Sequence, residues 1–214
     1  MVRTAILVSG GGTNLQAIIA GQLFGEIRNC EIVSVISSNP DAYALVRAQN
    51  ADLQTTIIDK NMFPTRHTFN RALLQKLQDL DVELVVLSGF LHVLERPLIR
   101  EFENRIINVH PALIPSFSGE GCYGLKVHQM ALDYGVKVTG ATVHFVTEDV
   151  DAGPIILQKA VPVEPDDTAR SLQQRVMEQA EWELLPKAIS LYCQGRLQID
   201  GRRVIIKEEA DEKK

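Results

Sequence analysis

Asn108 and His110 stand two residues apart, with Pro111 directly after them. On an extended strand, side chains at i and i+2 share a face, so an amide and an imidazole converge on one point. Both groups can donate a hydrogen bond to an oxygen that is gaining negative charge, and imidazole relays protons near neutral pH. The same spacing also suits a strand-end histidine satisfied by backbone, with the asparagine starting a turn. Asp149, Asp151 and Gly153 lie in a turn after Thr147. A carboxylate beside a histidine orients it and raises its pKa. Asp151 is a candidate for that role, and an ordinary acidic turn is the alternative. His144 shares a strand face with Thr142. The run Ser9-Gly10-Gly11-Gly12-Thr13-Asn14 sits between an apolar strand and a helix. Glycines let a backbone approach a ligand, and the helix start presents free N–H groups to an anion. The run lacks the lysine of a P-loop, and Leu15 stands where a dinucleotide fingerprint has its last glycine. A plain tight turn with a Thr or Asn cap is the other reading. Arg66 opens a helix, within reach of a carboxylate or phosphate or simply solvated. Glu178 and Glu181, three apart on a helix, share a face. They could hold an amine or a ribose hydroxyl, or form a solvated face.

These residues need a scaffold, and the hydrophobic pattern predicts one. Residues 4–9 and 83–88 are continuous apolar runs, as in strands buried on both faces. Residues 31–36 and 55–58 are further strands. Helices are expected over 14–23, with Leu15, Ile18, Ile19 and Leu23 on one face, over 43–49, and over 65–80 with Thr65 as N-cap. Gly25 is a stop for the first of them. Such alternation means βαβ units and a parallel sheet. In the second half, 105–109 is a strand and 116–124 a glycine-rich mobile loop. A short helix is expected over 127–134. Residues 138–146 alternate like a half-exposed strand, which would pair antiparallel with 154–163. A long helix is expected over 168–192, capped by Asp167 or Thr168 and kinked or divided at Pro186. Residues 197–205 form a hairpin around Asp200-Gly201.

The chain has 214 residues, of which 45% are hydrophobic and 23% charged, an ordinary globular composition. Its 22 basic and 27 acidic residues give a net charge of −5, which disfavours general nucleic-acid binding. No apolar run is long enough to span a bilayer, and no signal peptide is recognisable. Cys30, Cys122 and Cys193 are scattered, without a Cys-x-x-Cys pair, so structural zinc and a disulfide framework are not expected. A reducing, cytoplasmic setting follows as an expectation.

Taken together, residues 9–15, 87–90, 107–113, 139–145 and 150–156 resemble the phosphoribosylglycinamide formyltransferases, the folate-dependent enzymes of purine synthesis. The resemblance covers essentially the whole chain. The Asn-x-His-Pro and later Asp-x-Gly elements together carry it. It implies a single-domain α/β formyltransferase fold with a Rossmann-like N-terminal half and a mixed, mostly parallel central sheet flanked by helices. That domain would span 1–206, with 1–105 nucleotide-binding in type, 106–206 the folate and catalytic half, and 207–214 a charged tail. Gly12, Thr13 and Asn14 would bind the phosphate of the ribonucleotide. Asn108 and His110 would polarise the formyl oxygen of 10-formyltetrahydrofolate, the co-substrate. Asp151 would hold His110 protonated and help move the proton from the attacking amine to the leaving nitrogen. Thr142 and His144 would support this group from behind. Leu91, His92, Val93 and Leu94 would line the pterin pocket, closed by Thr147, Glu148, Asp149 and Val150. Asn108 would touch the folate too. Arg66 matches a folate-contacting position, and Glu181 and Glu178 match contacts to the glycinamide end. The implied partners are small molecules, with no metal, nucleic acid or membrane, and the protein would be a monomer or homodimer.

The sequence departs from the family pattern in places. His92 stands where many members have Arg, and Glu181-Trp182 where a Glu-His pair is usual. Counting back from Pro186 gives one extra residue in the last helix. The loop over 119–124 is longer than in some members. A formyltetrahydrofolate hydrolase shares the catalytic set but usually carries an added N-terminal domain, and here the first strand starts at Thr4. Relatives acting on tRNA carry an added C-terminal domain. A nucleotide-binding module would not explain Asn108, His110 and Asp151 together. Leu15 and the lack of an acidic end to the second strand count against a nicotinamide enzyme.

Overall fold

The computed structural model describes residues 1–208. Its strands are β1 (Val2–Val8), β2 (Cys30–Ser37), β3 (Thr55–Ile57), β4 (Leu84–Leu87), β5 (Ile106–His110), β6 (Val138–Phe145), β7 (Ile155–Pro162), β8 (Leu197–Asp200) and β9 (Arg203–Ile206). They form one sheet in the order β3-β2-β1-β4-β5-β6-β7-β9-β8. The first five in that order run parallel. β6 is antiparallel to β5 and β7, β9 lies parallel to β7, and β8 closes a hairpin on β9. The sheet is therefore mixed and mostly parallel. The helices are α1 (Thr13–Leu23), α2 (Tyr43–Asn50), α3 (Arg66–Asp79), α4 (Arg96–Glu101), α5 (Leu125–Tyr134), α6 (Ala169–Val176) and α7 (Trp182–Cys193).

The two faces of the sheet are buried by different helices. Ile6, Val8, Val86, Ile107, Val109 and Val143 pack with Leu15 and Ile18 of α1, Leu172 of α6 and Leu185 of α7. The alternate residues Ala5, Leu7, Val85, Leu87 and Ile106 pack with Phe69 and Leu73 of α3 and Leu98 of α4. Each fully buried large aliphatic chain contributes about 1.5–3 kcal/mol. On this second face the cover from α3 and α4 reaches Ile106. Asn108 and His110 continue the same face two and four residues on, paired with His144 and Thr142 of β6. The site opens there, beyond the carboxyl ends of the parallel strands.

Local signals in the sequence account for several boundaries. Thr65 and Thr168 both cap helices, each in a reciprocal pair with the residue three positions on, Thr68 and Ser171. Gly25, at φ 74°, carries the chain away from α1. Leu23, expected on the buried face, is exposed because the helix ends there. Of the tail expected over 207–214, Lys207 is hydrogen-bonded at both N and O to Arg196, and residues 209–214 lie outside the described residues.

Three larger departures matter for the site. β6 is not half-exposed: Thr139–Phe145 are all buried. The polar positions of its alternation are hydrogen-bonded inside the protein, His144 at the site and Thr142 to the turn behind it. α4, with Pro97 in its first turn, has only six residues, too few to show a period. The long helix expected over 168–192 is broken ahead of Pro186, by a π turn at Met177–Glu181. A π turn takes one more residue per turn than an α turn, which accommodates the extra residue counted in the sequence. No helix among the described residues is long and apolar enough to cross a membrane.

Candidate active site

A cavity of about 580 Å³ opens at the carboxyl ends of β1, β4 and β5. The glycine turn after β1 forms one end of it. Gly12 has φ 72°, and a Cβ there would sit 2.7 Å from Ala44 Cβ, so only glycine fits against α2. Gly10 O accepts from Ala44 N at 3.0 Å. Gly12 is also the N-cap of α1 and supplies no side-chain acceptor, so the first-turn N–H groups remain available to a ligand. The segment after β4 forms the opposite wall. Ser9 Oγ accepts from Leu91 N at 3.1 Å. Asn70 of α3 accepts from Glu95 N at 2.9 Å. His92 packs edge-on against Phe69 and Phe90. Burial, and then the charge of Lys60, lowers the His92 pKa. Val146, Thr147, Glu148 and Val150 close the remaining side, and Glu148 is held by Arg96 at 2.8 Å and Arg100 at 3.3 Å from α4.

At the centre, Asp151 bridges two histidines. Its Oδ2 lies 3.4 Å from His110 Nδ1 and its Oδ1 3.6 Å from His144 Nε2. Gly119 N donates to Oδ2 at 3.2 Å. Asp151 sits at φ 53°, a left-handed conformation that aspartate tolerates better than most residues. Close behind it, a Cβ at Gly153 would collide with Phe145 O at 1.8 Å, so the turn requires glycine. His110 Nε2 lies 2.8 Å from Phe117 O. A carbonyl only accepts, so Nε2 carries a proton. His144 Nδ1 likewise donates to Phe145 O at 2.9 Å. Its Nε2 faces Asp151 and lies 3.3 Å from Asn108 Nδ2.

The electrostatics divide the roles. Burial pushes Asp151 up, but the hydrogen bond from His144, the His110 charge and the Gly119 N–H outweigh it, and the carboxyl ends below its usual range. His110 ends below its ordinary value because burial outweighs the upward pull of Asp151 and of Phe117 O. Asp151 pulls His110 toward the protonated form expected from the sequence, but desolvation outweighs that pull in the resting protein. His128 of α5 is buried, with no hydrogen-bond partner for either ring nitrogen among the described residues. Burial and the charge of His110 push it down to about 4, so it adds no charge to the cluster.

Glu181 lines the cavity from the π turn and is buried. Asn14 Nδ2 donates to its Oε2 at 2.6 Å, while Asn14 Oδ1 has no partner among the described residues. Burial drives the Glu181 carboxyl up to about 7, against the pull of Asn14. Gly12, Thr13, Leu91, Val93 and Leu94 also line the cavity. Four residues singled out in the sequence lie outside its lining. Arg66 is exposed at the start of α3. Glu178 accepts from Gln174 at 2.8 Å, one turn back on its own helix. Asp149 is exposed, its carbonyl accepting from Thr147 Oγ1 at 3.2 Å. Thr142 lies behind the site, donating to Ala112 O at 2.7 Å and accepting from Ile114 N at 3.1 Å. It thereby fixes the turn after His110. Sequence reasoning passed over Asn70, the Phe117 carbonyl, the Gly119 amide and Met177, which also lines the cavity. Two of these act through backbone groups, which leave no mark on residue type. Among the described residues no group of three or more His, Cys, Asp or Glu is placed to hold a metal ion.

Comparison with known proteins matches this arrangement to one family. The model for formyl transferase matches residues 2–189. A glycinamide ribonucleotide transformylase structure from Symbiobacterium toebii superposes with a TM-score of 0.91 at 45% identity, covering 97% of this chain and 95% of that one. Phosphoribosylglycinamide formyltransferase of Haemophilus influenzae is 38% identical over 93% of this chain and 91% of its own length. Trifunctional purine biosynthetic protein adenosine-3 of Gallus gallus is 41% identical over 92% of this chain. The chain spans about a fifth of the length of that relative, 19%. The matched span holds the glycine turn, the Asn108–His110 pair and the Asp151 bridge on one continuous sheet, and the chain belongs to the formyl transferase family.

Proposed function

We propose that the chain transfers the formyl group of 10-formyltetrahydrofolate to the amine of 5-phosphoribosylglycinamide, giving formylglycinamide ribonucleotide for purine synthesis. The observation that carries this reading is the Asp151-bridged cluster, set in a cavity with an anion-receptive glycine turn at one end. Gly12, Thr13 and Asn14 take the phosphate at the start of α1. Glu181 holds the glycinamide end. The 91–94 segment and the 147–150 wall hold the pterin of the co-substrate.

Asn108 Nδ2 and His110 Nε2–H are the donors for the formyl oxygen as it gains charge. At rest the His110 donor is spent on Phe117 O, so the substrate oxygen replaces that carbonyl. As the amine adds to the formyl carbon it loses a proton, and the His110–Asp151 pair accepts it, the ionised carboxylate stabilising the imidazolium. The pair returns the proton to the folate nitrogen as its bond to the formyl carbon breaks. Water carries the proton over the remaining distance.

Asp151→Asn tests the assignment. It keeps the shape and removes the charge. With KM values near wild type, kcat should fall by roughly 10²–10³, the scale of losing one transition-state stabiliser. A variant as active as wild type would remove Asp151 from the mechanism.

A further inference from the structure

The cavity must hold a phosphate, yet its lining contains four acidic side chains, Glu120, Glu148, Asp151 and Glu181, and neither lysine nor arginine among the described residues. A phosphomonoester carries about −1.5 to −2 charges at neutral pH. Backbone amides and a helix start supply only partial charges against it. A full positive charge stands just outside the lining. Arg47 of α2 donates from Nε to Gly11 O at 2.9 Å and from Nη1 to Gln16 Oε1 of α1 at 3.0 Å. Its guanidinium carbon lies 5.1 Å over the Tyr43 ring. Its Cδ is 3.4 Å from the point where a Cβ on Gly12 would sit. Its hydrogen-bond partners are therefore neutral, and Nη2 has none among the described residues. By contrast, Arg96 and Arg100, on the far side of the cavity, are both spent on Glu148. Among the described residues Arg47 is a cation without a counter-ion, fixed by its own partners to the turn that receives the anion.

We propose that Arg47 binds the phosphate of the ribonucleotide substrate and supplies the charge that the cavity lining lacks. This rests on the formyl-transfer reading above. Gly11 O, Gln16 and Tyr43 hold the side chain in place, so little order has to be created on binding. The free edge of the guanidinium forms charge-assisted hydrogen bonds to phosphate oxygens. The contact is to the phosphate and not to the reacting atoms, so it acts on binding more than on turnover.

The test compares wild type, Arg47→Ala and Arg47→Lys on the ribonucleotide and on its dephosphorylated riboside. Inorganic phosphate serves as competing anion. For Arg47→Ala, KM for the ribonucleotide should rise about 10- to 100-fold, the loss of one or two charged hydrogen bonds. Its kcat should stay near wild type, its inhibition by phosphate should weaken, and its kcat/KM on the riboside should change little. Arg47→Lys, which keeps the charge but loses the fork, should recover part of the loss. An unchanged KM for the ribonucleotide overturns the proposal. So does an equal loss on both substrates, which would make Arg47 only a prop for the glycine turn. If wild type itself leaves the ribonucleotide unformylated, the formyl-transfer reading falls, and this assignment with it.

Discussion

Glu181 is enclosed by the fold and titrates near neutrality. Its carboxyl rises from an ordinary 4.5 to about 7. Between those values the folded chain keeps a proton that the unfolded chain has released. Folding stability therefore falls as pH rises through that window, by roughly 3 kcal/mol in all. The ionised form is the one that can hold an amine or amide N–H. Thus kcat/KM for the ribonucleotide should climb through about pH 7 and level off above it. Glu181→Gln should flatten that limb, lower activity, and abolish the loss of stability between 4.5 and about 7. A wild-type profile that is flat through neutrality would contradict the role given to Glu181. Asp151 has the opposite sign. Held below its usual range, it adds stability at neutral pH that is lost only as acid titrates it. His110, lowered by burial, is protonated first in the unfolded chain, so it weakens the fold as pH drops below its ordinary value of 6.5. Asn108 and His110 could be read from the sequence because a two-residue period fixes a shared face. Asp151 could not be joined to them by spacing, because the contact is made across the sheet by a turn that follows β6.

Among the elements, caps and glycines carry local signals and were legible. Thr65, Thr168 and Gly25 act where their residue types predict. The π turn was visible only as one residue too many, since a shift in hydrogen-bond register has no composition of its own. Yet that turn carries Glu181 and Met177 into the cavity wall. The burial of β6 was hidden for a related reason: Thr142 and His144 look like solvent positions until their partners, Ala112 O and Asp151, are known. The glycine turn gives a direct test. Gly12→Ala introduces a Cβ 2.7 Å from Ala44 at φ 72°, and such strain costs about 1–3 kcal/mol. Urea unfolding should show that loss, together with a raised KM for the ribonucleotide. Gly10→Ala has nothing within 4 Å of the added carbon and should be tolerated. Equal stability of the two variants would contradict the tight packing of the turn on α2.

Across the whole molecule, apolar runs alternating with helical periods were enough to read a parallel α/β sheet, and the 138–146 and 154–163 segments to read its antiparallel extension. The order of the strands was not legible, nor was the placing of β9 beside β7, because pairing partners are set by packing and not by local pattern. That order creates the site. β1 and β4 are neighbours in the sheet, so the glycine turn and the 88–94 segment face each other across one crevice. The overall charge of −5 gives no general attraction for anionic substrates, which leaves their capture to local groups. Whether this crevice passes a formyl group from folate to the ribonucleotide is read from the absorbance of 10-formyltetrahydrofolate, followed with and without 5-phosphoribosylglycinamide. Deformylation is expected only when the ribonucleotide is present, matched one for one by formylglycinamide ribonucleotide. Deformylation at the same rate without it would mean transfer to water, and no deformylation by the folded protein in either case would rule out formyl transfer from this folate.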